Sequence, residues 1–117
     1  MKLKVYAYKN CGTCRRALKF LDARHVPYAT VPIREQPPTK AELRQVLQSY
    51  GGEIRKLFNT SGQDYKKLNM KETLPKLTTE EAIDLLSRNS NLVKRPFVLS
   101  GKSGLVGFDM DEWAKFQ

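Results

Sequence analysis

Apolar and polar residues alternate from Leu3 into Val5-Tyr6-Ala7-Tyr8, a period of two that predicts an opening strand. The pattern then changes: Ala17, Leu18 and Leu21 share one side of a helical repeat, which gives a helix from about Gly12 to Arg24. Pro27-Tyr28-Ala29-Thr30-Val31-Pro32-Ile33 is rich in strand formers. A strand, a helix and a strand in succession imply a crossover connection, so the two strands are expected to be parallel, and the prolines place the second at a sheet edge. Arg34 to Pro38 breaks the pattern, and Thr39 with Glu42 forms a capping box ahead of a helix bearing Leu43, Val46, Leu47 and Tyr50 on one face, closed by Gly51-Gly52. Residues 53–58 and 64–68 read as two short helices around the turn Asn59-Thr60-Ser61-Gly62. Thr78 and Glu81 make a second capping box, for a helix through Ala82, Ile83, Leu85 and Leu86 to about Asn89. Strand character returns only at 96–100 and 104–108, a hairpin around Gly101-Lys102-Ser103. Asp109 then caps a closing helix carrying Met110, Trp113 and Phe116.

The order βαβ, helical block, ββα reads as an α/β thioredoxin-like core with a mixed four-stranded sheet, interrupted by an all-helical insertion. The expected layout is one domain over 1–117, with the core in 1–38 and 90–117 and the insertion at 39–89. A chain of 117 residues can bury a core without disulfide staples. It has no run of 18 apolar residues, and Met1-Lys2-Leu3-Lys4 enters the first strand without a signal-peptide core, so a cytoplasmic monomer with no membrane contact is expected. The net charge of +9, from 21 Lys and Arg against 12 Asp and Glu, favours anionic partners. Because the basic residues are scattered and not interleaved with aromatics, direct nucleic-acid binding is not expected.

The chemistry concentrates at Asn10-Cys11-Gly12-Thr13-Cys14-Arg15-Arg16, where the only two cysteines form a CxxC at a strand-to-helix turn. The unpaired N–H groups and dipole of a helix N-terminus favour a thiolate at Cys11. Cys14, one turn deeper, is spaced to attack a mixed disulfide formed at Cys11. A closed zinc site needs four ligands, and His25 is the only nitrogen donor beyond the pair, so no metal is expected. Burial of both cysteines as small apolar residues conflicts with Cys11 lying before a glycine at a turn. A reducing compartment makes such a pair catalytic or sensing more often than structural. Pro96 opens the third strand, where a cis peptide would set its backbone against the CxxC turn, and Arg95 before it could face the Cys11 thiolate or an anion. His25 reads as a helix-end residue and Trp113 as core; neither is given a role.

Taken together, Cys11-Gly12-Thr13-Cys14-Arg15-Arg16-Ala17, residues 34–39, Leu57-Phe58-Asn59-Thr60-Ser61-Gly62, Val93-Lys94-Arg95-Pro96 and Leu105-Val106-Gly107-Phe108 resemble the ArsC/Spx/YffB superfamily. The resemblance implies the same thioredoxin-like fold with a helical insertion. It also implies catalytic residues Cys11, Cys14 and Arg95, and substrate contacts from Gly12, Thr13, Asn59, Arg95 and Pro96. For members that reduce arsenate it implies two further oxyanion-holding arginines, whose positions here are taken by Asn59 and Phe108 unless Arg55 or Lys102 fills the gap. The short turn 59–62 is similar to YffB-type proteins. Two functions stay open. One is a thiol-dependent reductase with no bound cofactor, using glutathione or glutaredoxin as electron donor. The other is an Spx- or MgsR-type regulator that binds the RNA polymerase alpha subunit, with a Cys11–Cys14 disulfide as its switch.

Overall fold

The computed structural model describes residues 2–114. Its strands are β1 (Leu3–Ala7), β2 (Tyr28–Pro32), β3 (Phe97–Ser100) and β4 (Ser103–Val106), joined in one mixed sheet of order β2-β1-β3-β4. β1 runs parallel to β2, with Leu3 opposite Tyr28 and Ala7 opposite Pro32, and antiparallel to β3, which pairs antiparallel with β4. β2 is thus an edge strand; Pro32 lies at its end, where the missing N–H is tolerated. The arrangement is thioredoxin-like.

The helices are α1 (Gly12–Ala23), α2 (Lys40–Ser49), α3 (Gln63–Lys67), α4 (Met70–Thr73), α5 (Thr79–Arg88) and α6 (Met110–Trp113), with short 3-10 turns at Ile54–Leu57, Leu74–Lys76 and Ser90–Leu92. Both capping boxes form: the Thr39 and Thr78 hydroxyls accept from the Glu42 and Glu81 N–H groups, and each glutamate accepts in return from the cap's own N–H. α1 ends at His25 with φ 56°, its N–H donating to Asp22 O while Val26 N–H reaches Leu21 O. The same pair of bonds ends α2 at Gly51, φ 65°, where glycine carries no side-chain penalty.

The alternation along β1 and β3 divides the core between the two faces of the sheet. Leu3, Val5 and Val98 pack with Ala17, Leu21 and Trp113 from α1 and α6, whereas Tyr6, Phe97 and Leu99 pack with Leu43, Val46, Ile83 and Leu86 from α2 and α5. Glu42 fastens α2 to the sheet, accepting from Tyr6 Oη at 2.6 Å and pairing with Lys4 Nζ at 2.7 Å. No helix among the described residues is long and apolar enough to cross a membrane.

Several expectations need correction. β4 stops at Val106, because Gly107 turns to φ 70° and directs its N–H to Pro96 O at 2.9 Å. β4 also begins earlier than expected, at Ser103, which pairs with Ser100 across the turn. The segment expected to be helix and loop supplies one isolated bridge, Phe58 with Val93. In α6 Met110 is 58% exposed, since a four-residue helix buries only one side, that of Trp113. Phe116 lies outside the described residues.

Candidate active site

β1 delivers the chain into a tight turn, with the Cys11 N–H donating to Tyr8 O at 2.9 Å, and α1 begins immediately after it. Cys11 is the N-cap: its backbone is extended (φ −92°, ψ 115°), and its Sγ accepts the Cys14 N–H at 3.4 Å. The first turn of α1 contains no acidic residue, so the N–H groups facing Cys11 meet no carboxylate from their own helix. Cys11 is half-buried, whereas Cys14 is 1% exposed. Burial pushes the Cys14 thiol up to about 12, and the neighbouring Cys11 side chain adds to the rise; the Tyr8 backbone N–H and the Arg95 charge partly oppose it. Cys14 is therefore a neutral thiol at pH 7, and Cys11 is the sulfur open to a reaction partner. Gly12 is the first helical residue, and a side chain there would meet only Arg16 Nη1 at ordinary contact distance, 3.7 Å.

Tyr8 is a site residue that sequence reasoning missed. The Arg34 guanidinium lies 4.9 Å and that of Arg95 5.7 Å from its ring centre, and its hydroxyl accepts from Arg34 Nη1 at 3.0 Å and Asn10 Nδ2 at 3.1 Å. These donors, Asn10 first, hold its hydroxyl below the usual tyrosine range. Its position at the end of the first strand, three residues before Cys11, was the available signal. The Arg95–Pro96 peptide is cis.

The Phe58–Val93 bridge brings the remaining residues together. Asn59 N–H donates to Leu92 O and Lys94 N–H to Leu57 O, both at 2.8 Å. Residues 57–59 and 92–94 are thereby clamped side by side. Between this clamp, the first turns of α1 and the Gly107 bend lies a cleft of about 490 Å³, lined among others by Thr13, Arg16, Lys56, Asn59, Lys94 and Arg95. Thr13, Asn59 and Arg95 thus meet in one place, whereas Cys11, Gly12 and Pro96 do not line it. Phe108 also reaches the cleft, but its ring packs edge-on against Trp113 and Phe20, with centroids 5.3 and 5.7 Å away. Lys102 lies in the β3–β4 turn outside the cleft, and Arg55 lines a neighbouring hollow of about 340 Å³. The cations that do line the cleft beside Arg95 are Arg16, Lys56 and Lys94; sequence spacing gave no signal for the two lysines. On the other side of the CxxC turn lies a mostly apolar hollow of about 380 Å³, whose wall includes the buried Cys14 together with Leu18, Val31 and Pro32. Among the described residues no three His, Cys, Asp or Glu side chains cluster as a metal would need.

The model of the ArsC family matches residues 6–116. This chain belongs to the ArsC family. Among curated relatives it is 40% identical over 113 residues to the uncharacterized protein YusI of Bacillus subtilis, covering 97% of this chain and 96% of that one. It is 26% identical to the regulatory protein MgsR of Bacillus subtilis, covering 97% and 89%. A crystal structure of an ArsC family related protein from Bacteroides fragilis superposes with a TM-score of 0.93 at 40% identity, covering 100% and 98%. Asn59 and Phe108 thus bring to the cleft a neutral amide and a ring engaged in aromatic packing. The Asn59 amide is also turned back on its own loop, where Ser61 Oγ donates to its Oδ1 at 3.4 Å and a Cβ at Gly62 would lie 2.7 Å from its Nδ2.

Proposed function

We propose that the chain is a dithiol reductase, acting on small oxidised thiols in the cytoplasm, with glutathione or glutaredoxin as the source of electrons. The observation that carries this reading is the division of labour between the cysteines: Cys11 half-buried at the cap of α1, Cys14 buried and protonated one turn inside. The Cys11 thiolate attacks one sulfur of a disulfide RS–SR′; the S–S bond breaks, and R′S⁻ leaves and takes a proton from water. Cys14 then gives its proton back to the solvent, and its thiolate attacks the Cys11 sulfur, closing the Cys11–Cys14 bond and releasing RS⁻. Two electrons pass from the cysteine pair to the substrate. Two molecules of glutathione, or one reduced glutaredoxin, return them. Arg95 contributes positive charge that favours the Cys14 thiolate as it forms.

A turnover assay with glutathione, glutaredoxin and a panel of acceptors including arsenate tests this. Reduction of small disulfides that is abolished in Cys11→Ser supports the reading; absence of turnover with every donor and acceptor refutes it. A second reading, a redox-switched regulator docking on the RNA polymerase alpha subunit, is favoured by the 26% identity with MgsR. It requires polymerase binding that changes between the dithiol and disulfide forms, which pull-down with each form measures.

A further inference from the structure

We propose that the cleft beside the CxxC turn is a selectivity site for disulfides whose thiol halves carry carboxylates, with Lys56 and Lys94 as the residues that choose them. The inference rests on the reductase reading and adds its substrate class. Lys56 and Lys94 line both the cleft of about 490 Å³ and the adjoining hollow of about 340 Å³, so one basic trough runs past them. Arg16 and Arg95 stand at one end and Arg55 at the other, against Glu53, Asp109 and Glu112. The ion pairs among the described residues lie elsewhere, at Lys4–Glu42, Lys40–Asp84, Arg44–Glu80 and Arg88–Asp84. Neither lysine has a side-chain hydrogen bond or ion pair among the described residues, so both line the cleft with no carboxylate of those residues bound to them.

The direction of Lys94 is built into the fold. Its backbone is clamped to Leu57, and its stem crosses the Gly107 bend so closely that a Cβ there would lie 2.9 Å from Lys94 Cε. The size of the space argues against a lone oxyanion. A water-sized group fills about 30 Å³ of liquid, and clefts of several hundred Å³ take ligands of many atoms. Carboxylates on both halves of a small disulfide would reach the two ammonium groups while the sulfurs lie toward α1, whose Thr13 and Arg16 form the near wall.

Three disulfides of similar size and different charge test the proposal: dithiodipropionate (dianionic), hydroxyethyl disulfide (neutral) and cystamine (dicationic). The expected order of kcat/KM is dianion, neutral, dication, with about tenfold between the first two. The dianion-to-neutral ratio should fall about tenfold in Lys94→Met, mostly through KM, fall less in Lys56→Met, and recover in Lys94→Arg; circular dichroism melting confirms that each variant folds. Equal kcat/KM for the three substrates, or an unchanged ratio in Lys94→Met, overturns the proposal while leaving the reductase reading intact. If no disulfide is reduced at all, that reading fails, and the trough is judged by NMR titration with the unreactive thioether thiodipropionate. Saturable shifts at residues 56 and 94 that vanish in Lys94→Met uphold the anion site, and their absence overturns it.

Discussion

Alkali should destabilise this fold through Cys14. The thiol is pushed from its ordinary 9.0 to about 12, chiefly by burial, so the unfolded chain releases this proton well before the folded chain does. The favourable burial of the neutral thiol is fully present below 9.0 and is lost progressively as pH rises toward about 12. At about pH 10 the unfolded thiol is mostly ionised and the folded one is not, which costs about 1.4 kcal/mol relative to neutral pH. For a domain of this size that is a fall in Tm of about 6 °C. Lysines and tyrosines titrate in the same range, so the comparison is between Cys11→Ser and Cys11→Ser/Cys14→Ala, both under a phosphine reductant. Thermal melts between about pH 7 and pH 10 should show Cys11→Ser losing this extra stability, while the loss of packing in the double variant remains a constant offset. Parallel curves would refute the placement of Cys14 as a buried neutral thiol, and with it the division of labour between the two sulfurs.

Glu42→Ala should destabilise by about 1–3 kcal/mol, because one side chain completes the α2 capping box, accepts from Tyr6 and pairs with Lys4. Although burial opposes it, these partners hold the Glu42 carboxyl below its usual range, so its contribution is present at neutral pH and is lost on acidification; denaturant titration of wild type and variant at neutral and acid pH measures both effects. Gly104→Ala would place a Cβ 2.5 Å from both Val46 Cγ2 and the backbone oxygen of Val98, and should cost about 1–3 kcal/mol in denaturant unfolding as α2 is pushed off β4. Arsenate should be a poor substrate, slower by orders of magnitude than with an enzyme holding the oxyanion on three arginines, while disulfide reduction persists; comparable arsenate rates would refute the reading of Asn59 and Phe108. Arg95→Ala should slow the second step, release of the mixed disulfide by Cys14, more than the first, as rapid-quench mass analysis would show.

What could be read from the sequence was local or periodic. The capping boxes at Thr39 and Thr78 each close within four residues, the first strand carries its period of two, and the CxxC lies on one turn of helix, so these stand where the pattern put them. The missed features depend on backbone angles and distant pairing. Gly107 ends β4 through a positive φ that no hydrophobic pattern records, and α4 at Met70–Thr73 is too short to establish a repeat. The cleft is assembled by two hydrogen bonds between segments about 35 residues apart, Asn59 to Leu92 and Lys94 to Leu57, and this clamp brings Lys56 beside Lys94 and Arg95. The stacking of Arg34 and Arg95 on Tyr8 likewise arises from three separate elements.

Intact-mass spectrometry of the fully reduced protein exposed to a small disulfide tests the central claim most directly. Wild type should lose two hydrogens as the Cys11–Cys14 bond closes, and Cys14→Ser should instead accumulate a single mixed-disulfide adduct that peptide mapping places on Cys11. An adduct on Cys14 in the wild-type protein, or closure of the internal disulfide without any adduct trapped in Cys14→Ser, would contradict the account.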